Sequence, residues 1–172
     1  MSSQSIYYYE GETEKALITA LKRGKLIPQG KTKKFNFWQK EASVITRSIN
    51  KSDVLYIVFD TDVMGIIERN RFIKNIESLC RSVKEVHLLA HHENLEDELV
   101  FVCSKRNSLK LFEDFYNTKN CDEFKSGFIK ESNLLKKLND NSFNINKLWS
   151  KQDVYSGYLS GIKTNKKITK GV

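Results

Sequence analysis

The sequence contains little proline and little cysteine, and it has no long apolar run. Its 172 residues include one proline and three cysteines. The cysteines are widely spaced and form no CxxC pair, which excludes a zinc ribbon and a disulfide framework, so we expect reduced thiols. No apolar stretch approaches the roughly 20 residues that cross a bilayer, and the start MSSQS lacks the features of a signal peptide. We therefore expect a cytoplasmic protein with no membrane partner.

The charge balance favours polyanionic partners. Lysine and arginine number 29 against 21 acidic residues, which gives a net charge of +8. Nucleic acid is the first partner that such a balance suggests. A lysine-rich surface without a special partner explains the same charge equally well, so the charge alone does not decide between the two.

Short apolar runs alternate with longer amphipathic segments in the first half of the chain. Strands are predicted over 5–11, 33–38, 54–59 and 85–92, and helices over 13–24, 41–50 and 66–83. The apolar stripe of the last helix is expected to hold Ile66, Ile67, Ile73, Ile76, Leu79, Cys80 and Val83. The run VLYIVF (54–59) is apolar throughout, as in a strand buried on both faces of a parallel sheet. The alternation predicts an α/β fold with a parallel sheet of about four strands and flanking helices.

Beyond residue 94 the pattern becomes mainly helical. Helices are predicted over 95–104, 108–117, 121–140 and 144–152. We expect a core of residues 1–100 and a helical extension of residues 101–160 packed on it. The last segment, GIKTNKKITKGV (161–172), has four lysines and no acid, which predicts a basic flexible tail.

Acidic residues follow two of the predicted strands. Glu10 closes the first strand within EGETE, and Asp60 and Asp62 close the third within DTD. Ligands of parallel α/β sheets collect at the carboxyl ends of the strands. If the first and third strands are neighbours, the three carboxylates converge, and their repulsion calls for a hard divalent cation. The alternative is that these acids only form turns.

This order of motifs resembles the TOPRIM domain of topoisomerases, bacterial primases and small nucleases. The resemblance covers residues 5–100 and rests on EGETE after a short apolar strand and on DTD after a later one. It implies a TOPRIM-like, Rossmann-like core in which Glu10 matches the family's glutamate and Asp60 and Asp62 match its aspartate pair. These three residues would be catalytic and metal-binding. Glu14 matches the acid often found one helical turn further on, and is a further candidate ligand.

Within that family the chain is most similar to nucleases. The length leaves no room for the tyrosine-bearing domain of a topoisomerase, and the cysteines do not form a primase zinc ribbon. The pattern resembles small ribosomal-RNA maturation ribonucleases, overcoming-lysogenisation-defect nucleases and TOPRIM effectors of phage defence. The resemblance implies an endonuclease that depends on Mg²⁺ or Mn²⁺ and hydrolyses phosphodiester bonds in RNA, such as tRNA or rRNA, or in DNA. It also suggests an ATPase or inhibitor protein as a partner.

A further acidic segment, NLEDELVFVC (94–103), follows the fourth predicted strand. Similar asparagine-acid segments follow the fourth strand in some stand-alone TOPRIM proteins, which makes Glu96 and Glu98 further candidate metal ligands. Acids in the first turn of a helix also interact favourably with its dipole, with Asn94 as the N-cap. That simpler explanation is preferred for Asp97 and stays open for the other two.

Lysines flank the first acidic cluster. The candidate nucleic-acid-binding residues are Lys15, Lys31, Lys33 and Lys34. Such a flank would carry a phosphate backbone past the metal. Lysines on a solvated face are the ordinary alternative. Phe35 and Phe37, close behind, are expected in the core.

Two other patterns are set aside. The segment GKLIPQGKT (24–32) has five residues between its first two glycines and follows a helix, so it is not an ATP-binding phosphate loop. His87 and His91 lie about 13 Å apart on a strand and cannot share a zinc ion. We expect His91 and His92 to be surface or supporting residues, with phosphate contact as the less favoured alternative.

The sequence thus leaves two hypotheses of different class. The first is a metal-dependent endonuclease. The second is a non-catalytic nucleic-acid-binding or regulatory subunit with a TOPRIM-like fold, in which the acids are structural. An activity that appears with Mg²⁺ and is lost in Asp60→Ala would separate them.

Overall fold

The computed structural model describes residues 3–62 and 65–150. Its four strands are β1 (Ser5–Tyr9), β2 (Lys31–Lys34), β3 (Val54–Phe59) and β4 (Glu85–Ala90). They form one parallel sheet in the order β2-β1-β3-β4. The first three helices are α1 (Glu12–Arg23), α2 (Ser43–Thr46) and α3 (Ile66–Ser82). The next four are α4 (Leu95–Val102), α5 (Ser108–Tyr116), α6 (Cys121–Lys130) and α7 (Leu134–Asp140).

The predicted α/β class, a four-stranded parallel sheet flanked by helices, is confirmed and is consistent with a Rossmann-like fold. None of the helices in the described ranges is long and apolar enough to span a bilayer.

Both faces of the sheet are covered, which is why β3 is apolar along its whole length. Successive side chains of a strand point to opposite faces, so Tyr7 and Tyr9 enter one core while Ile6 and Tyr8 enter the other. The first core is completed by α1 and α4–α7, and the second by α3 and the segment after β2. A sheet covered in this way leaves its carboxyl edge as the place where side chains from several strands meet.

The helical C-terminal half packs on the same face of the sheet as α1. Phe115, Phe124 and Phe128 share a hydrophobic core with Leu17 and Tyr7. The predicted boundary at residue 100 falls inside α4, so the two parts are joined through a helix and a common core. Residues 151–160 of the predicted extension and the predicted basic tail, 161–172, lie outside the described residues.

The second predicted strand is displaced. Strand β2 spans Lys31–Lys34 instead of 33–38, so it begins two residues earlier and ends four residues earlier than predicted. The side-chain oxygen of Asn36 accepts hydrogen bonds from the backbone N–H groups of Trp38 (2.9 Å) and Gln39 (3.1 Å), and this local turn ends the extended chain. The expectation that Phe35 and Phe37 lie in the core is confirmed, but they reach it from the segment after β2 instead of from a strand.

The second predicted helix is also shorter than expected. Only Ser43–Thr46 is helical within 41–50. The hydroxyl of Thr46 donates to the Ser43 carbonyl and that of Ser48 donates to the Ile45 carbonyl. Such local side-chain bonds compete with a continuing helix.

This short segment is instead anchored by Asn75 of α3, which is buried. Its side chain accepts from the backbone N–H of Ala42 (2.7 Å) and donates to the carbonyls of Phe37 and Lys40 (2.8 Å each).

The predicted apolar stripe of α3 is wrong at its start. Ile66 and Ile67 are 71% and 70% exposed, whereas Phe72, Ile76 and Leu79 are buried. At 3.6 residues per turn, the two isoleucines lie roughly 120° or more from the centre of the buried stripe. The prediction that Ile66 and Ile67 belong to the core rested on their apolar character alone and is wrong.

The predicted helices beyond residue 120 also differ from the structure. Residues 121–140 form two helices, and Asn133 caps the second by accepting from the N–H of Lys136. Residues 144–150, predicted as the start of a helix, form turns. Asparagine side chains that bond the backbone favour such breaks over a continuous helix.

Candidate metal centre at the carboxyl edge of the sheet

Three residues with titratable side chains directly follow three neighbouring strands. Glu10 follows β1, Asp60 follows β3 and His91 follows β4. Strands β1 and β3 are adjacent, which meets the condition on which the predicted convergence of acids depended. The parallel pairing of β3 and β4 continues past their ends, because the N–H of His91 donates to the Phe59 carbonyl at 3.0 Å.

A metal-capable group forms at this edge from Glu14, Asp60 and His91. One carboxylate oxygen of each acid and one ring nitrogen of the histidine all lie within 4.8 Å of one another. Glu14 and His91 are buried, at 5% and 1% exposure, and Asp60 is half-buried. Two oxygen donors and one nitrogen donor at this spacing are within reach of one divalent ion.

Gly11 lies directly against the carboxylate of Glu14. Helix α1 begins at Glu12, so Glu14 lies in its first turn, with its carboxylate folded back toward the helix start. A Cβ atom at Gly11 would stand 2.7 Å from Glu14 Oε2, closer than any real contact. The Glu-Gly step of the sequence motif therefore leaves room for the carboxylate of Glu14 beside the strand end.

The carboxyl group of Glu10 lies in a strongly acidic environment. Burial, followed by the charges of Asp60, Glu14 and Asp62, raises the pKa of Glu10 to about 8. Its Oε2 atom accepts from Asn36 Nδ2 at 3.3 Å, and its buried Oε1 atom has no hydrogen-bond partner among the described residues. Glu10 thus lies beside the metal-capable group without belonging to it.

We expect Glu10→Gln to stabilise the metal-free protein, and to do so more at high pH. Because the folded-state pKa lies above the ordinary 4.5, the folded protein keeps a proton that the unfolded chain releases between pH 4.5 and 8. Wild-type stability is therefore lost as pH rises through that window. Gln does not titrate and still offers an oxygen to Asn36, so the melting temperature in EDTA should exceed that of wild type by about 2–5 °C at pH 8. At pH 4.5 the two proteins should melt together, and an equal gain at both pH values would contradict the assigned repulsion.

Asp62 lies further out than predicted. Its side chain is exposed, and it is not part of the metal-capable group. The loop that carries it is held by the carbonyl of Glu93, which accepts from the N–H groups of Thr61 (2.5 Å) and Asp62 (3.1 Å). Glu93 has the left-handed φ of 61°, an uncommon conformation for this residue type. The bond fixes the loop after β3 against the loop after β4 and so positions Asp60.

Glu98 has a different environment from that of a metal ligand. It is fully buried, its Oε2 atom accepts from the N–H of His92 (3.0 Å), and its Oε1 atom accepts from the N–H of Trp149 (2.6 Å). Both oxygens are thus occupied by backbone donors that hold the loop after β4 and the turn at residue 149.

Glu96 faces the site and is paired with a lysine from the helical half. Lys125 Nζ of α6 lies 3.6 Å from Glu96 Oε1. Burial is the main cause that raises the pKa of Glu96, and the charges of Asp60 and Glu14 add to it, while Lys125 opposes the rise. Helix α6 therefore places a positive charge beside the acidic cluster.

The predicted basic flank divides into two parts. Lys15 Nζ and Lys34 Nζ lie 3.2 and 3.6 Å from the carboxylate of Glu12, close to the carboxyl edge. Lys31 stands at the opposite end of β2, in register with Ile6, while Lys34 is in register with Tyr9. Lys33 lies between them on β2 and has an intermediate exposure. Lys15 and Lys34 are the predicted lysines near the site.

No family model, curated protein or solved structure matches this chain. The TOPRIM resemblance therefore stays a prediction from the sequence motifs.

Sequence reasoning missed His91 as a candidate ligand. The spacing of His87 and His91 along the chain excludes an ion shared by these two histidines, but it does not exclude an ion shared with other residues. The partners of His91 instead come from other elements, Asp60 from the end of β3 and Glu14 from the first turn of α1. The available signal was its place at the carboxyl end of β4, one strand from Asp60 in the sheet.

Proposed function

We propose that this protein is a metal-dependent endonuclease with a TOPRIM-like core that hydrolyses phosphodiester bonds in RNA or DNA. The observation that carries the proposal is the grouping of Glu14, Asp60 and His91 within 4.8 Å at the carboxyl edge of a parallel sheet. The donor set fits a divalent ion such as Mg²⁺ or Mn²⁺. Such an ion, when bound, activates water and stabilises charge on a phosphate.

The chain's own residues supply the remaining parts of the proposed chemistry. Glu14, Asp60 and His91 would hold the ion. Burial and the neighbouring acids raise the pKa of Glu10 to about 8 in the metal-free protein. The positive charge of a bound ion would lower this pKa, and the ionised Glu10 carboxylate would then be placed to take the proton of the attacking water. Lys15 and Lys34, which contact Glu12, and Lys125, which contacts Glu96, would bind the substrate's phosphates and offset the repulsion between the carboxylates and the nucleic acid.

The test is cleavage of labelled tRNA, single-stranded RNA, plasmid and linear DNA by the full chain with Mg²⁺ or Mn²⁺. Binding to the same nucleic acids is measured beside it in EDTA. We expect cleavage of at least one substrate with metal and none in EDTA. A purified protein that binds nucleic acid but cuts none of these substrates would contradict the proposal.

A non-catalytic nucleic-acid-binding subunit is the second candidate. It is favoured by the bond between His91 Nδ1 and Asp60 Oδ1 at 2.8 Å and by the two backbone bonds of Glu98, because these acids have structural partners without a metal.

Both candidates predict a binding surface at Lys34 and not at Lys31. Charge reversal in Lys34→Glu should weaken nucleic-acid binding and lower the salt slope by about 0.7–0.9 for one lost phosphate contact. Lys31→Glu is the matched control, since it makes the same change on the same strand about 10 Å further from the site. Binding titrations between 50 and 200 mM salt measure both slopes. Equal losses in the two variants would place the binding surface elsewhere.

A further inference from the structure

The ring of His91 has two nitrogens and one partner. The side chain is buried, Nδ1 lies 2.8 Å from Asp60 Oδ1, and the buried Nε2 atom has no hydrogen-bond partner in the described part of the chain. With the proton on Nδ1, the lone pair of Nε2 is left without a donor. With the proton on Nε2, two lone pairs face each other across 2.8 Å. A metal ion binds the neutral ring, and in either neutral tautomer the ring has a buried lone pair that such an ion would satisfy.

The distances around His91 suit a bound ion. If two ligand atoms each lie about 2.1 Å from an ion and the angle between the two bonds is about 90°, the ligand atoms lie about 3.0 Å apart. The 2.8 Å between His91 Nδ1 and Asp60 Oδ1 is close to that value. An ion at Nε2 would suit the other tautomer, because a ligating histidine commonly donates its second ring N–H to a carboxylate.

We propose that the group of Glu14, Asp60 and His91 is a mixed oxygen–nitrogen site that selects a first-row transition ion such as Mn²⁺ over Mg²⁺, with His91 as the residue that confers the preference. Mg²⁺ is a hard ion that favours oxygen ligands and gives up its water reluctantly, whereas imidazole nitrogen binds transition metals more readily. The inference deepens the proposed function at the same site, and it requires metal binding but not cleavage.

The first test compares ions on the wild-type chain. Isothermal titration with Mn²⁺ and with Mg²⁺, in the absence of nucleic acid, should give at least a tenfold tighter constant for Mn²⁺. Electron paramagnetic resonance of the Mn²⁺ complex should show coupling to one imidazole nitrogen. This measurement needs no variant, so it tests the inference even if substitution at buried His91 disturbs folding.

The second test replaces the nitrogen by oxygen. In His91→Asn the amide oxygen stands near the place of Nδ1, and in His91→Gln near that of Nε2. The variant that replaces the ligating nitrogen should bind Mn²⁺ at least tenfold more weakly while its Mg²⁺ affinity changes less than threefold. His87→Gln is the matched control, since His87 is also a buried histidine but lies within β4, four residues before His91 and about 13 Å from it. Its Mn²⁺ affinity should equal that of wild type.

The outcomes separate this inference from the nuclease proposal. Equal affinity for the two ions, or a Mn²⁺ spectrum without nitrogen coupling, overturns the metal preference and leaves the nuclease standing if cleavage is observed. Preferential Mn²⁺ binding through nitrogen without any cleavage supports the metal preference and removes the nuclease. If neither ion binds, the metal site itself is wrong and both proposals fail.

Discussion

Asp60→Asn is expected to lower cleavage at least about 100-fold while nucleic-acid affinity in EDTA stays the same or rises. Asp60 belongs to the metal-capable group and also bonds His91. The asparagine keeps the size of the side chain and one oxygen for His91 but removes a negative charge that a divalent ion requires. The same charge repels a phosphate backbone when no metal is bound, so its removal favours binding.

The opposite response of binding and cleavage distinguishes an enzyme from a binding protein. Cleavage is measured with Mn²⁺ or Mg²⁺ at saturating nucleic acid, and affinity is measured in EDTA on the same substrates. Asp140→Asn is the control, because it removes the charge of an exposed acid at the end of α7 outside the metal-capable group. Equal cleavage by wild type and Asp60→Asn would identify the activity as a contaminant and favour the binding subunit.

The parts of the site that the sequence predicts are those carried by backbone order. A strand that is apolar throughout, followed by DTD, places Asp60 at a sheet edge, and the Glu-Gly step after β1 places Glu10 beside it. These conclusions need only the rule that parallel strands share a carboxyl edge. The adjacency of β1 and β3, which the sequence left conditional, brings the two acids together.

The parts that the sequence does not predict depend on contacts between distant segments. His91, after β4, bonds Asp60, which follows the neighbouring strand β3 but is distant in sequence, and Lys125 approaches Glu96 from a helix that has no motif. The end of β2 is a local exception, because the side chain of Asn36 accepts a hydrogen bond from the backbone N–H of Trp38, two residues further on. Periodicity reports which faces are apolar, but it does not report which polar atoms meet, because that depends on tertiary packing.

Glu98 has one role predicted from the sequence, that of a metal ligand, and a different role in the structure, that of a buried hydrogen-bond acceptor. As a candidate metal ligand it would repel Glu14 and Asp60 in the metal-free protein, so its removal would leave stability unchanged or increase it. As the acceptor for the N–H groups of His92 and Trp149 it joins two segments that are 6 and 51 residues away from it in sequence, respectively. Its removal would then leave two buried donors without partners, at about 1–3 kcal/mol each.

We therefore expect Glu98→Ala to lose about 3–5 kcal/mol of unfolding free energy in EDTA, and roughly 10 °C or more in melting temperature. Glu98→Gln should lose less, because its amide oxygen still accepts one of the two bonds. Asp97→Ala, one residue earlier and only half-buried, is the matched control and should lose less than about 1 kcal/mol, since its backbone bond to Asn94 is kept. Urea denaturation of the four proteins measures these differences. The opposite result would be a Glu98→Ala variant that is as stable as wild type in EDTA but is no longer stabilised by Mn²⁺. That result would identify Glu98 as a metal ligand, because an acid that accepts structural hydrogen bonds cannot be removed without destabilising the metal-free protein.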